Sequence, residues 1–387
     1  MTEGLLLLDG PYVSDFLRET VRAHSVSVLD FLRPDASSVS ESDARALLRA
    51  DPCLRVLTNS ENALGWLATN AVGTRLPDQI MRFKDKVQTR DLLRPLYPDL
   101  RYREITAGQL PGWEPADMPF PFVVKPAVGF FSLGVHLVRD RAHWPVIREA
   151  LRADLAQAVG QYPTAVLDPT RFVAEECISG DEYAIDAWFD TDGQAVISNI
   201  LHHPFSSTAD VGDRVYTTST EIITRWLHPF TEWLNAVGTL SGTRDFPVHV
   251  EVRVRPDGVI VPIEINPLRF GGWCTTADLT WHSWGFNPYV MFLSGERPDW
   301  PTICGTREGR LWSVIVLDNT TGVAGREIRD FDFTALEKRF GRVVERRAVD
   351  WRQYPLFGFL FVETAVEVAG ELADILQSDL GEFLVTG

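Results

Sequence analysis

The chain has 387 residues, 45% hydrophobic and 23% charged, which is ordinary for a globular protein and enough for two or three domains with real cores. A net charge of −16 and a pI near 5.0 argue against nucleic acid or an acidic membrane surface as partner, because gripping phosphates without a metal needs clustered positive charge. Small molecules are the expected ligands. No apolar stretch approaches the ~20 residues of a membrane span, and Leu5 to Leu8 is a short run ending in Asp9-Gly10 rather than a secretory leader, so a cytoplasmic protein is expected. Cys53, Cys177, Cys274 and Cys304 are scattered without CxxC spacing, which indicates neither a zinc site nor a disulfide framework. Only four of the 37 basic residues are lysines (Lys84, Lys86, Lys125 and Lys338), so each lysine asks for its own explanation.

Residues 4–8 read as a buried strand, Ser14 to His24 as a helix, and Ser25 to Leu29 as a second strand ending at Asp30. A helix over Ser42 to Arg49, with Ser40 or Ser42 as N-cap, leads to a strand at Leu54 to Leu57, and Glu61 to Thr69 again reads as helical. Residues 1–80 are therefore expected to form a small α/β domain on a parallel sheet. Gly10-Pro11 follows the first strand, but no GxGxxG occurs, so a dinucleotide fingerprint is absent.

Lys84-Asp-Lys86 then opens a helix with an apolar seam, placing a lysine where the helix dipole favours anions; a solvated lysine is the plainer account. Residues 98–119, rich in Pro, Gly and polar residues, read as the link to a second lobe. Phe120 to Pro126 is a strand ending in Lys125-Pro126, and it runs into the loop Ala127-Val-Gly129-Phe-Phe-Ser132-Leu-Gly134. That combination suits a phosphate flap, with the lysine on phosphate oxygens and loop N–H groups closing over them. It is not a P-loop, since G-x-x-x-x-G-K-[ST] is missing.

After a helix from Trp144 to Val159 comes Glu175-Glu176-Cys177-Ile178-Ser-Gly180-Asp-Glu182. Acidic residues around a Ser-Gly turn are commonly solvated hairpin ends, yet a carboxylate at 182 could also accept from two adjacent hydroxyls. His202 and His203 follow a strand at Ala195 to Leu201, and a helix is expected from Glu221 to Leu240. Adjacent strand histidines point to opposite faces and cannot readily share a metal, so one of them, His202, is assigned to the substrate side.

The most informative stretch is Val248 to Gly272. Val248, Val250, Val252 and Val254 alternate with His249, Glu251 and Arg253; beyond Asp257-Gly258, Val259, Val261, Ile263 and Ile265 alternate with Pro262, Glu264 and Asn266. This predicts a hairpin on a tight Asp-Gly turn with Glu251 opposite Glu264 and Asn266 a diagonal step away. Opposed carboxylates repel unless a cation lies between them, and two carboxylates with an amide oxygen suit Mg²⁺ shared with phosphate. His249 shares the face of Glu251 and is placed at the rim of the site, a packed histidine being the alternative.

Glu251, Glu264-Ile-Asn266 and Pro267-Leu-Arg269-Phe-Gly271-Gly272 resemble the metal-binding end of an ATP-grasp ligase, and the preceding segments resemble that family in order. The resemblance implies an α/β (α+β) ATP-grasp architecture: a parallel N-terminal domain (1–80), a two-lobed ATP-grasp core (81–305, lid about 120–190) and a small α/β domain (306–387) similar to that of the L-amino-acid-ligase branch. It further implies ATP as the nucleotide, held by Lys86 (Lys84 as fallback), Lys125 and Ser132 at the phosphates. Glu175, Glu176, Cys177 and Ile178 would hold adenine through backbone groups, and Glu182 the ribose. Glu251, Glu264 and Asn266 would bind Mg²⁺, with Mn²⁺ as an alternative. Arg269, with Lys125, would act on the acyl phosphate or oxyanion, and His202, His249, Arg269 and Gly271 would face substrate. The family's Asn-Pro-Arg has Leu268 inserted here, which leaves the aim of Arg269 open. The implied activity joins a carboxylate to an amine through an acyl phosphate. An ATP-grasp carboxylase or phosphotransferase, or a non-catalytic nucleotide-binding module, are the alternatives. Family members are often homodimers; the sequence itself leaves the assembly open. The aromatic residues from Trp273 to Met291 are assigned to core packing.

Overall fold

The computed structural model describes residues 4–129, 134–158, 168, 170–207 and 212–386. The N-terminal sheet is parallel, with strands β1 (Leu5–Leu8), β2 (Ser27–Asp30) and β3 (Val56–Thr58) in the order β2-β1-β3. Its crossovers are helices α1 (Asp15–His24) and α2 (Glu41–Ala50). Both start where a serine can cap: Ser14 Oγ accepts from the Leu17 N–H and Ser40 Oγ from that of Asp43. Helices α3 (Leu64–Asn70), α4 (Leu76–Lys84) and α5 (Lys86–Leu93) follow. Asp85 separates the last two, and its carboxylate caps α5 at the N–H groups of Val87 and Gln88.

A four-stranded antiparallel sheet forms one lobe, built from β4 (Tyr102–Thr106), β5 (Phe122–Pro126), β6 (His136–Val138) and β7 (Arg171–Glu176) in the order β4-β7-β5-β6. Helix α6 (Trp144–Ala158) packs on it through a core that includes Phe122, Val124, Trp144, Leu151 and Phe172.

The large sheet holds β8 (Asp181–Phe189), β9 (Ala195–His203), β10 (Val215–Ser219), β11 (Phe246–Val254) and β12 (Ile260–Pro267). It runs β12-β11-β8-β9-β10 and continues into β13 (Arg310–Asp318), β16 (Leu356–Ala365) and β15 (Val343–Ala348), so the sheet crosses the boundary expected near 305. A separate pair, β14 (Ile328–Phe331) with β17 (Leu384–Thr386), closes the C-terminal end. Helix α7 (Thr220–Ser241) lies across the face carrying Tyr183, Ile185 and Val250, and α8 (Thr275–Trp284) follows β12. The two sheets meet at a turn where only glycine fits: Gly180 has φ +128°, and a Cβ there would lie 2.1 Å from the carbonyl oxygen of Val254. Among the described residues no helix is long and apolar enough to cross a membrane.

Candidate active site

The β11–β12 hairpin pairs Glu251 with Glu264 and His249 with Asn266, the expected register, but reaches it by another route. The loop is Pro256-Asp257-Gly258 rather than two residues; Gly258 is left-handed (φ +85°) and the Arg255 N–H bonds the Val259 carbonyl at 2.9 Å. Pairing therefore begins one step out, with Val254 opposite Ile260 and Val252 opposite Pro262. A bulge at Ile263 then restores the register at Glu264. The bulge also frees a carbonyl: Ile263 O accepts from Arg90 Nη2 at 3.3 Å and from Lys125 Nζ at 3.4 Å.

The two opposed carboxylates differ in charge environment. Burial, then Glu264 and Glu182, push Glu251 well above the usual carboxylate range. Burial also opposes ionisation of Glu264, but Lys86 and Lys84 outweigh it and hold that carboxyl low, with Lys86 Nζ 2.8 Å from Glu264 Oε1. Glu251 makes no hydrogen bond with a described residue; His249 Nε2 lies 3.8 Å from its Oε1. The buried Asn266 amide likewise has no side-chain hydrogen bond among the described residues. Oxygen donors without protein partners, gathered on one face beside a proton-hungry carboxylate, fit a hard divalent cation. No three His, Cys, Asp or Glu side chains among the described residues converge enough to hold a metal alone, so this set needs the Asn266 amide and oxygens from a ligand.

Lys125 and Arg90 share one buried partner. Glu175 Oε1 lies 2.7 Å from Lys125 Nζ and Glu175 Oε2 2.7 Å from Arg90 Nε. Burial pushes the Glu175 carboxyl up, but these two cations bring it down to about 2. Burial lowers Lys125 against the pull of Glu175. This corrects the adenine assignment in part. Glu175 sits mid-strand between β4 and β5, so its backbone is in the ladder and its side chain serves the cations. The N–H groups of Glu176 and Cys177 donate to the carbonyls of Arg101 and Pro121, and the Ile178 carbonyl accepts from Arg253 Nη1 at 2.7 Å. Glu182 faces the site with both oxygens engaged, Oε1 by His203 Nδ1 at 3.1 Å and Oε2 by Arg253 Nε at 2.8 Å.

His202 is corrected to the opposite face. It pairs with Tyr183 across β8 and β9 and packs on that ring beneath Trp226 of α7, whereas His203 pairs with Glu182 on the site side. Lys84, the fallback for Lys86, is fully buried, bonded to Glu61 and, at 2.9 Å, to the Gly129 carbonyl. Ser132 lies outside the described residues.

The insertion at Leu268 is absorbed by a left-handed residue (φ +58°) whose carbonyl accepts from the Thr58 N–H at 2.7 Å. Arg269 is thereby turned toward the N-terminal domain, where its Nη2 meets Glu61 Oε1 at 2.6 Å. Burial raises the Glu61 carboxyl, but Lys84 and Arg269 overcome it and bring it to about 2. Gly271 donates its N–H to Thr276 Oγ1 at 2.7 Å; that hydroxyl bonds Asp186, whose other oxygen holds His249 Nδ1 at 2.7 Å.

Sequence reasoning missed Arg90, Glu61, Asp186, Thr276 and His203. Two left a signal: Arg90 is one helical turn from Lys86, and strand alternation puts Asp186 on the face of Glu182. Glu61 left none, because its partner Arg269 is 208 residues away.

The lysine-bearing sheet lobe thus meets the carboxylate hairpin at the buried cations Lys125 and Arg90. Residues 118–277 match the sequence family described as ATP-grasp domain, and the chain has the ATP-grasp fold. Its structure is similar to the L-amino acid ligase from Bacillus licheniformis (TM-score 0.71, 18% identity, covering 100% of this chain and 98% of that one). It is also similar to N5-carboxyaminoimidazole ribonucleotide synthetase from Thermotoga maritima (TM-score 0.64, 13% identity, 99% and 98% covered). A third similar structure is the biotin carboxylase from Campylobacter jejuni (TM-score 0.57, 10% identity, 100% and 92% covered). A comparison with curated proteins finds no match.

Proposed function

We propose that the chain is an ATP-dependent ligase that joins a carboxylate, from an amino acid or related acid, to an amine through an acyl phosphate, releasing ADP and phosphate. The observation that carries this reading is the hairpin set Glu251, Glu264 and Asn266, with Lys86 2.8 Å from Glu264 and Arg269 just beyond. The similarity to an L-amino acid ligase over the full chain supports it at the level of fold.

Glu251, Glu264 and Asn266 would hold Mg²⁺ or Mn²⁺, which would supply positive charge against the phosphates. Lys86 and Lys125 now hold carboxylates, and they exchange these for the non-transferring phosphates when nucleotide enters. The Cys177 carbonyl and the Ile178 N–H, just past the end of β7, are assigned the backbone grip on adenine, and Glu182 remains assigned to ribose. A substrate carboxylate oxygen attacks the γ-phosphorus, breaking its bond to the ADP oxygen. The amine nitrogen then attacks the acyl carbon, phosphate leaves with the electrons of the C–O bond, and the ammonium loses its proton to solvent. The planar fork of Arg269 suits the acyl phosphate or the tetrahedral oxyanion once it parts from Glu61.

The test is a screen of acid and amine pairs for ADP and phosphate release by the full chain. Release that depends on both an acid and an amine is expected. AMP and pyrophosphate would sink the acyl-phosphate route, and release that depends on bicarbonate instead of an amine would move the chain to a carboxylase.

A further inference from the structure

Asp186 is fully buried in the centre of β8 and bonds two side chains from different segments. Its Oδ1 holds His249 Nδ1 at 2.7 Å, and its Oδ2 accepts from the hydroxyl of Thr276, which in turn takes the Gly271 N–H at 2.7 Å. His249 is itself buried, two residues before Glu251 on the same face and directly opposite Asn266. A carboxylate that accepts from Nδ1–H fixes both the tautomer and the ring plane, leaving Nε2 as an acceptor. That nitrogen is turned toward Glu251, 3.8 Å from its Oε1. At this distance it makes no direct hydrogen bond to Glu251. Two acceptors side by side, one buried and the other partly exposed, call for something that donates to both.

From this arrangement we infer that Asp186 is a positioning residue of the cation site. It holds His249 so that Nε2 accepts a hydrogen bond from a water on the cation bound by Glu251, Glu264 and Asn266. Through Thr276 it keeps the Gly271 turn, and with it Arg269, in step with the same cation. Mg²⁺ keeps several of its waters when protein-bound, so an acceptor behind the carboxylates has a partner ready. A carboxylate behind an imidazole is the usual way of orienting a histidine at a metal, and loss of such supporting groups typically costs 10–100-fold in metal affinity or activity, roughly. The inference rests on the cation reading of Glu251, Glu264 and Asn266 made above.

The experiment is Mn²⁺ binding to the full chain, followed by electron paramagnetic resonance with ADP present, for the wild type and for Asp186→Asn, His249→Phe and His249→Gln. ADP affinity without metal and thermal unfolding are measured alongside. An asparagine can accept only one of the two hydrogen bonds that Asp186 accepts. Asp186→Asn and His249→Phe are expected to weaken Mn²⁺ binding ~10–100-fold while metal-free ADP affinity is unchanged. His249→Gln, which keeps a donor and an acceptor, recovers part of the loss; a merely structural histidine would show no such ordering. Wild-type Mn²⁺ affinity in folded Asp186→Asn and His249→Gln overturns the inference while leaving the cation reading intact. Failure of the wild type itself to bind Mn²⁺ with ADP overturns both.

Discussion

Lys86 Nζ and Glu264 Oε1 lie 2.8 Å apart, so the lysine assigned to phosphate and the carboxylate assigned to metal hold each other in this structure. Lys86 is the first residue of α5, fixed there by the Asp85 cap and by its own N–H on the Ala127 carbonyl at 2.8 Å. Replacing it with methionine keeps the helix and the packing but removes the charge. Lys86→Met is expected to lower turnover by ~10²–10³, the cost of losing one donor to a developing phosphate charge. ADP release at saturating acid and amine checks it; a change under about threefold would move the phosphate contact elsewhere.

The opposed carboxylates predict a proton linkage. Glu251 is raised by burial and by Glu264, so it is protonated over a range where an exposed glutamate is not, and cation entry must expel that proton. Cation affinity should therefore fall as pH drops through the raised value. The sign for stability is opposite to that of a salt-bridged acid. With the folded value above the unfolded one, the contribution of Glu251 is complete below ~4.3, the unfolded range, and is lost as pH rises through the folded value. Metal-free protein should lose melting temperature on that rise and recover it when Mg²⁺ is added. Calorimetric Mg²⁺ titration in two buffers of different ionisation enthalpy reads the proton release directly, and equal heats in both buffers would refute the linkage.

How much of this was legible in the sequence follows from the range of each interaction. The hairpin was readable because alternation fixes which residues share a face, and Glu251 against Glu264 needed only a count across a turn. The count succeeded through two offsetting departures, a longer loop and the Ile263 bulge, neither of which alternation records. The Ser40 cap was readable for the same local reason, because it satisfies an N–H group three residues away. The His202 assignment failed because nothing local says which face of β9 meets α7. For Glu175 a motif gives only spacing, whereas its ion pair with Arg90 depends on how β7 docks against α5.

Glu61 tests the docking of the N-terminal domain. It is the counter-ion of both Lys84 and Arg269, and Lys84 is fully buried. Glu61→Gln leaves a buried ammonium without its carboxylate and should cost ~3–5 kcal/mol of stability. The sign with pH follows from the lowered value. The contribution of Glu61 is present above the unfolded range of ~4.3 and disappears as pH falls through about 2. The stability gap between wild type and Glu61→Gln should therefore be widest near neutrality and close in acid. Denaturant unfolding at several pH values checks this; a gap that does not narrow in acid would show that Glu61 acts by packing alone.

Gly271 tests whether the turn after Arg269 is built for close approach. A Cβ at this position would lie 2.3 Å from Thr276 Oγ1 and 2.4 Å from its Cγ2, inside any tolerable contact. Gly271→Ala must rotate Thr276 away, and that rotation breaks its bonds to the Gly271 N–H and to Asp186 together. Overpacking of this kind costs ~1–3 kcal/mol, and the turn carries Arg269 with it, so turnover should fall as well as melting temperature. Thr276→Ala alone loses the hydroxyl and removes the two closest atoms, so in the double variant the methyl at 271 meets only the Cβ of residue 276, at 2.9 Å, a milder overlap than that with Oγ1 and Cγ2. The double variant should therefore melt above the temperature expected by adding the two single effects, the signature of side chains in contact. Its turnover should stay low, because the Asp186 link to the turn is still missing. Strict additivity in melting temperature would show that the turn yields to the added methyl without involving Thr276.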